Sequence, residues 1–213
     1  SVWISDVCSS YLRFDFRDST LYIGSFYRIT GSKSLEITVS FSELRRVVAT
    51  AGHLYNTAPF QSEVLDLLAS EDARLSLEYR AGLSQVTLEG NSRATLRAEA
   101  DSLSVDMRER SDAFIYTVNQ GMQLYLREQS GLDLEGISVQ AAFEASDNSG
   151  LDATRLEAES LRLKASASAT ARVRATTQLE LDASGGSRTY LYGSPAITVL
   201  QFSERSELHK EED

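Results

Sequence analysis

Short apolar pairs of the form Leu-x-Leu or Val-x-Leu recur along this chain at nearly even distances, and that periodicity constrains the fold more than any other feature. The pairs begin at Leu65, Val86, Leu103, Leu124, Ala141, Leu161, Leu179 and Ile197, at spacings of 21, 17, 21, 17, 20, 18 and 18 residues. The mean lies close to 19, the length of one β-solenoid coil. Their second members, Leu67, Leu88, Val105, Leu126, Phe143, Leu163, Leu181 and Val199, follow with a period of two, so one face of a strand points inward. Small residues at Ala69, Gly90, Ala145, Ala165 and Ala183, each followed by Ser or Asn, suit a tight corner. A second apolar run in each repeat, including Leu75, Leu77, Leu96, Ile115, Leu134, Leu151, Val173 and Leu191, supplies another inward wall.

These features predict an all-β, single-domain, right-handed β-solenoid resembling a parallel β-helix. Residues 45–202 form its coils, strands within 1–44 cap or extend the N-terminal end, and the polar close 203–213 frays. The Ala-rich stretch 153–171 reads as strand, because Leu156, Leu161 and Leu163 hold no helical face while Leu161-Arg-Leu163-Lys-Ala165 alternates. The N-terminal strands are expected at Leu12–Phe16, Leu21–Ile23 and Leu35–Val39, separated by turns at Arg17-Asp18-Ser19 and Gly31-Ser32. Glu89, Asp106, Arg127, Lys164 and Asp182 read as one outward column whose alternating charges set register. The uneven spacing singles out residues 102–150 as the place where corners shape a site, and leaves the coils after Leu161 as scaffold.

The formal charge of -10 disfavours nucleic acid and anionic membranes as partners through long-range repulsion. No stretch of the sequence approaches 18 uninterrupted apolar residues, so no transmembrane helix is expected. Cys8 is the sole cysteine, which rules out an intramolecular disulfide. Ser5-Asp6-Val7-Cys8 carries Asp and Val where a lipoprotein attachment site requires small residues, and Ser1-Val2-Trp3 lacks the charged and apolar regions of a signal peptide.

The C-terminal run from Leu179 to Val199 contains Asp182-Ala-Ser-Gly-Gly-Ser187 and Tyr192-Gly-Ser-Pro195. It resembles the bacterial family called putative auto-transporter adhesin head domain, or GIN domain. Gly90-Asn-Ser-Arg-Ala94 and Thr20-Leu-Tyr-Ile23 are similar to weaker landmarks of that family. The resemblance implies an exported cell-envelope β-solenoid, in the periplasm or on the cell surface, serving as a binding or adhesion module. It brings no catalytic, metal or cofactor residues with it.

Candidate chemistry is sparse. A nucleophile with a histidine base has only His53 and His209 to draw on, and both read as surface residues. Gly90-Asn-Ser92-Arg-Ala94 lacks the second glycine of a nucleophile elbow and reads as a corner. Asp147-Asn-Ser-Gly150 with Asp152 does not follow calcium-loop spacing, and Gly185-Gly186 lacks the Lys of a phosphate loop. The enzymatic alternative is a pectinase-like, polysaccharide-cleaving β-helix, which needs paired carboxylates. Glu71-Asp72 and Glu157/Glu159 are the best pairs for it. For binding alone, Tyr190 and Tyr192 share a strand face and lie near Arg188, although capping the core end is their simpler role. The partners this leaves are a glycan or an envelope protein, with no cofactor implied.

Overall fold

A computed structural model describes residues 4–5, 12–25 and 36–212; Cys8, the Gly31-Ser32 turn and Leu35 lie outside the described residues. The chain forms two compact units, Ser1–Glu43 and Leu44–Asp213. In the first, β1 (Ile4–Ser5), β2 (Leu12–Arg17), β3 (Thr20–Ser25) and β4 (Thr38–Val39) pair antiparallel, β1 with β4 and β2 with β3. The β2–β3 hairpin closes through Asp18 and Ser19, both at positive φ. A two-residue turn that follows the right-handed twist of its strands requires that conformation. These strands form their own small sheets and do not join the ladder of the second unit.

The second unit is a stack of parallel coils of about 19 residues, about nine turns in all, and strands make up 72% of the structure. Its first coils comprise β5 (Arg46–Ala49), β6 (His53–Tyr55) and β7 (Phe60–Ala69). The central coils are single long strands: β8 (Arg74–Leu88), β9 (Arg93–Met107), β10 (Asp112–Leu126), β11 (Gly131–Ala145), β12 (Gly150–Ala165) and β13 (Thr170–Ala183). β14 (Arg188–Tyr192), β15 (Ala196–Phe202) and β16 (Glu207–Lys210) complete the stack. Every pairing in this ladder is parallel.

The strand β8 shows how one coil is built. Leu75, Leu77 and Tyr79 point inward from its first half, and Ser84, Val86 and Leu88 from its second. The inward set therefore changes from odd to even positions at residues 80–83, where the strand turns its corner. Glu89–Ser92 then closes the coil, with the Ser92 N–H donating to the Glu89 carbonyl at 3.3 Å. Both halves feed one apolar core, in which full burial of a Leu contributes about 1.5–3 kcal/mol.

The hydrogen-bonded register corrects the spacing expected from apolar pairs. Leu65, Ser84, Leu103, Met122, Ala141, Leu161 and Leu179 occupy one inward column, at spacings of 19, 19, 19, 19, 20 and 18, and Ile197, 18 residues further on, continues the register but is exposed. The pairs beginning at Val86 and Leu124 lie two residues past this column: in one coil polar Ser84 fills the inward position, and in the other Met122 does. The burial of Ser84 is satisfied by the Tyr79 hydroxyl, 2.7 Å from its Oγ. The regular coils are thus those from β8 to β11. The bulges fall later, at Asp133/Glu135, between Ala153 and Ser160, and at Leu181/Asp182.

The small third inward position holds at Ala69, Ala145, Ala165 and Ala183, but Leu88, Met107 and Leu126 fill it in the coils between, and Gly90 belongs to a turn. The charge column likewise separates into two. Asp106, Lys164 and Asp182 share an outward column with Tyr125 and Glu144, whereas Glu89 and Arg127 stand in the adjoining turn column with Arg108. Ion pairs bridge neighbouring coils all the same: Arg127–Asp106 at 3.1 Å, Arg108–Glu89 at 2.7 Å and Lys164–Glu144 at 2.9 Å. Hydrogen bonding to Glu144 raises the Lys164 pKa.

The polar close does not fray. Ser203-Glu-Arg-Ser206 repeats the turn of Ser184-Gly-Gly-Ser187, and β16 pairs parallel with β14. Leu208, in register with Thr189, packs against the core.

Candidate functional site

The first halves of the coils stack into one outward wall. Three columns face solvent there, and beside Ser76, Thr95 and Thr170 they carry arginine, aromatic and acidic side chains. The middle column runs Ser76, Thr95, Phe114, Asp133, Asp152, Arg172, Tyr190, His209 through successive coils. Beside it stand Glu78, Arg97, Tyr116 and Glu135, which pairs with Arg155. Parallel stacking puts like positions about 4.8 Å apart, so long side chains reach their neighbours along the column.

Guanidinium groups lie over rings in this wall. Arg97 sits 4.3 Å from the Tyr116 centroid, Arg155 5.6 Å from Phe114, Arg172 5.2 Å from Tyr190 and Arg174 5.9 Å from Tyr192. Tyr190 in turn stacks on His209, with centroids 5.0 Å apart and planes 17° from parallel. Such contacts contribute about 0.5–1 kcal/mol each at exposed sites and hold the rings in fixed orientation.

A shallow trough of about 570 Å³ runs along the wall, parallel to the stacking direction, across the five coils from Arg93 to Thr170 and Arg172. Its floor is low because Gly131 and Gly150 occupy the outermost column between Asp112 and Thr170, where other coils carry side chains. A Cβ placed on Gly150 meets nothing within 4 Å. Phe114 and Arg172 flank the floor, with Asp133 and Asp152 between them. One oxygen of Asp152 accepts from the Thr154 N–H at 3.1 Å and from its hydroxyl at 2.7 Å, which fixes the carboxylate. Among the described residues Arg172 has no carboxylate within ion-pair distance, and its guanidinium retains free donors.

Most residues singled out from the sequence stand elsewhere. Tyr190 and Tyr192 do not cap the core: Thr189 and Leu191 are the buried members of β14, and the two tyrosines lie half-buried on the outer wall. Arg188 lies on the same wall, 3.8 Å from Glu207. His209 is 3.1 Å from Glu207. His53 Nε2 lies 2.8 Å from Ser76 Oγ on the exposed surface, a Ser–His contact for which no carboxylate is within hydrogen-bonding distance of the imidazole among the described residues. Glu71-Asp72 form part of a turn, with Asp72 accepting from Asn91 at 3.4 Å. Glu157 and Glu159 point outward on either side of buried Ala158.

Gly90–Ser92 is a corner, with Ser92 buried. Asp147-Asn148 and Gly185-Gly186 are the central residues of two turns, all four at positive φ. Among the described residues no group of three or more His, Cys, Asp or Glu side chains is placed to hold a metal ion. No helix among them is long and apolar enough to cross a membrane.

Of the trough residues, the sequence singles out Arg93, Ala94, Gly131, Gly150, Leu151 and Asp152 as parts of corners, walls or turns, none of them as part of a binding surface. Phe114, Asp133 and Arg172 were missed. Their signal was present as matching residues 19 apart, Gly131 with Gly150 and Asp133 with Asp152, but it emerges only once the coils are in register.

Comparison with curated proteins and with solved structures found no match. A family does match, over residues 4–121 and 81–195, and its description is putative auto-transporter adhesin, head GIN domain. The two stretches overlap over 81–121 and are offset by about four coils, as expected when one repeating pattern aligns with itself at two positions. Together they span most of the chain, including the whole trough, and the chain belongs to this adhesin head GIN domain family.

Proposed function

We propose that the β-solenoid unit is a non-catalytic binding module of an exported bacterial envelope protein, and that it engages an elongated ligand along its arginine- and aromatic-bearing wall. The observation that carries this reading is the trough: five coils long, open to solvent and lined by fixed polar and aromatic groups. Extended, rigid surfaces of this kind are how stacked-repeat proteins hold long partners. The family description, an adhesin head domain, supports a binding role.

The test is occlusion. Gly150→Gln places a side chain on the trough floor where nothing obstructs it. The parent protein should bind one or more components of a panel of immobilised glycans and fractionated envelope extract, and the variant should lose that binding while keeping its melting temperature. Unchanged binding by a folded Gly150→Gln removes the trough from the function. New reducing ends released from polygalacturonate, with loss of turnover in Glu157→Gln/Glu159→Gln, would establish the pectinase-like alternative instead.

A further inference from the structure

We propose that the ligand of the trough is an uncharged glycan chain lying along the stacking direction, with one sugar ring to each coil. This rests on the trough being a recognition surface and adds the chemical class that it selects.

Three observations carry it. The first is spacing. Successive coils present equivalent positions about 4.8 Å apart, close to the advance per ring of an extended pyranose chain, whereas a peptide strand advances only about 3.3 Å per residue and drifts out of phase within two coils. A glycan in the trough therefore meets the same kind of position ring after ring.

The second is the order of groups. Phe114 offers an apolar face, Asp133 and Asp152 offer acceptors and Arg172 offers donors, while Tyr190 lies beyond the trough, between Arg172 and His209. Sugar rings present apolar C–H faces and hydroxyls that both donate and accept, and this alternation satisfies each. The groups are also ordered in advance: Arg155 lies over Phe114, Thr154 holds Asp152, and Arg172 rests on the Tyr190–His209 stack. Little side-chain freedom remains to be lost on binding. Gly150 lets a ring approach the backbone directly, whereas the Asp112 carboxylate lies 3.0 Å from where a Cβ would stand on Gly131.

The third is charge. Asp112, Asp133 and Asp152 outnumber Arg93 and Arg172 along the trough, in a chain of formal charge -10. Arg93 is partly committed, 4.0 Å from Asp112. A polyanionic chain meets net repulsion there, so uronate polymers and phosphate polymers are selected against.

The experiment is calorimetric titration of the whole chain with three kinds of probe. These are neutral oligosaccharides of one to eight sugars from gluco-, galacto-, manno-, xylo- and N-acetylglucosamine series, polygalacturonate fragments, and short oligolysine peptides. Affinity for at least one neutral series should rise with length to about five sugars and then level off. Phe114→Ala and Arg172→Gln should each weaken it by about tenfold, and Gly150→Gln should abolish it. Melting curves of each variant confirm the fold, and Val199→Ala, away from the trough, should bind as the parent does.

Binding of polygalacturonate or oligolysine that Gly150→Gln abolishes, with no neutral series bound, overturns the glycan class and leaves the recognition surface standing. Neutral binding with no length dependence overturns the one-ring-per-coil geometry. Neutral binding that survives Gly150→Gln in a folded protein overturns both the class and the surface.

Discussion

Glycine-to-alanine exchange at two positions of the ladder should have opposite effects, and the difference tests the close stacking of the coils. Gly136 has φ +120°, and a Cβ built on it falls 1.9 Å from the carbonyl oxygen of Thr117, its partner on the preceding coil. That carbonyl belongs to a parallel ladder and cannot retreat without losing hydrogen bonds. Holding Ala in such a conformation costs about 1–3 kcal/mol. Displacing the carbonyl costs about 1–1.5 kcal/mol for each hydrogen bond broken, and one or two are at risk. Gly136→Ala should therefore destabilise by about 2–6 kcal/mol, lowering the melting temperature by roughly 4–24 °C at the 2–4 °C per kcal/mol typical of this size.

Gly150 sits in the next coil with open space around its Cβ position. Gly150→Ala removes unfolded-state freedom and should stabilise by about 0.4–1 kcal/mol. Scanning calorimetry with circular dichroism in the strand band measures both. If Gly136→Ala melts within about 2 °C of the parent, or if Gly150→Ala loses as much stability as Gly136→Ala, the close inter-coil packing at Thr117–Gly136 is wrong.

Burial pushes the Tyr79 hydroxyl up to about 12 from 10.0, and the hydrogen bond with Ser84 offsets this only in part. Its folded-state value is the raised one, so its contribution to stability is complete below pH 10 and is lost as pH climbs towards 12. Denaturant melts between pH 9 and 12 should show the parent losing stability over that window faster than Tyr79→Phe. Near pH 7, Tyr79→Phe should cost about 1–2 kcal/mol, because it leaves the buried Ser84 hydroxyl unpartnered. Ala167 holds φ 48° in a turn whose neighbour in the next coil is built from Gly185-Gly186. Ala167→Gly should raise stability by about 0.5 kcal/mol, the left-handed penalty less the entropy of a glycine, as read from the urea midpoint. Asn119 donates to Thr117 at 3.1 Å and accepts from Ser138 at 2.7 Å inside the core. Asn119→Ala should cost about 1–2 kcal/mol in the same assay by leaving the Thr117 hydroxyl without this partner, while the Ser138 hydroxyl keeps the Gln140 carbonyl at 3.3 Å.

The coil length was legible in the sequence because Leu and Val mark most inward positions. The register slips in one coil where polar Ser84 serves as a core residue, and in another where Met122 opens a pair ahead of Leu124. Ser84 is hidden by Tyr79, a partner five residues away, and nothing in a periodic apolar pattern signals that pairing. The close at Ser203–Ser206 failed for the opposite reason: its high charge reads as a frayed tail, while its Ser-x-x-Ser spacing repeats the preceding turn. Tyr190 and Tyr192 were correctly placed on a common face, but whether that face is core or solvent depends on the parity of β14, which Thr189 and Leu191 determine. The trough was illegible because it consists of missing side chains at Gly131 and Gly150, and an absence gains meaning only beside its neighbours in register.

The parallel stacking also determines how the module bears load. Hydrogen bonds between coils lie along the stack, so under a pull between the first and last coils of the second unit every row carries the same tension, and the short rows at the ends, β5–β7 and β14–β16 with four residue pairs each, give way first. Such a stack yields from an end, one coil at a time. Each coil released adds about 19 residues of slack, roughly 65 Å at full extension. Under tension a tether of this design lengthens in steps, dissipating force while the inner coils that carry the trough keep their shape.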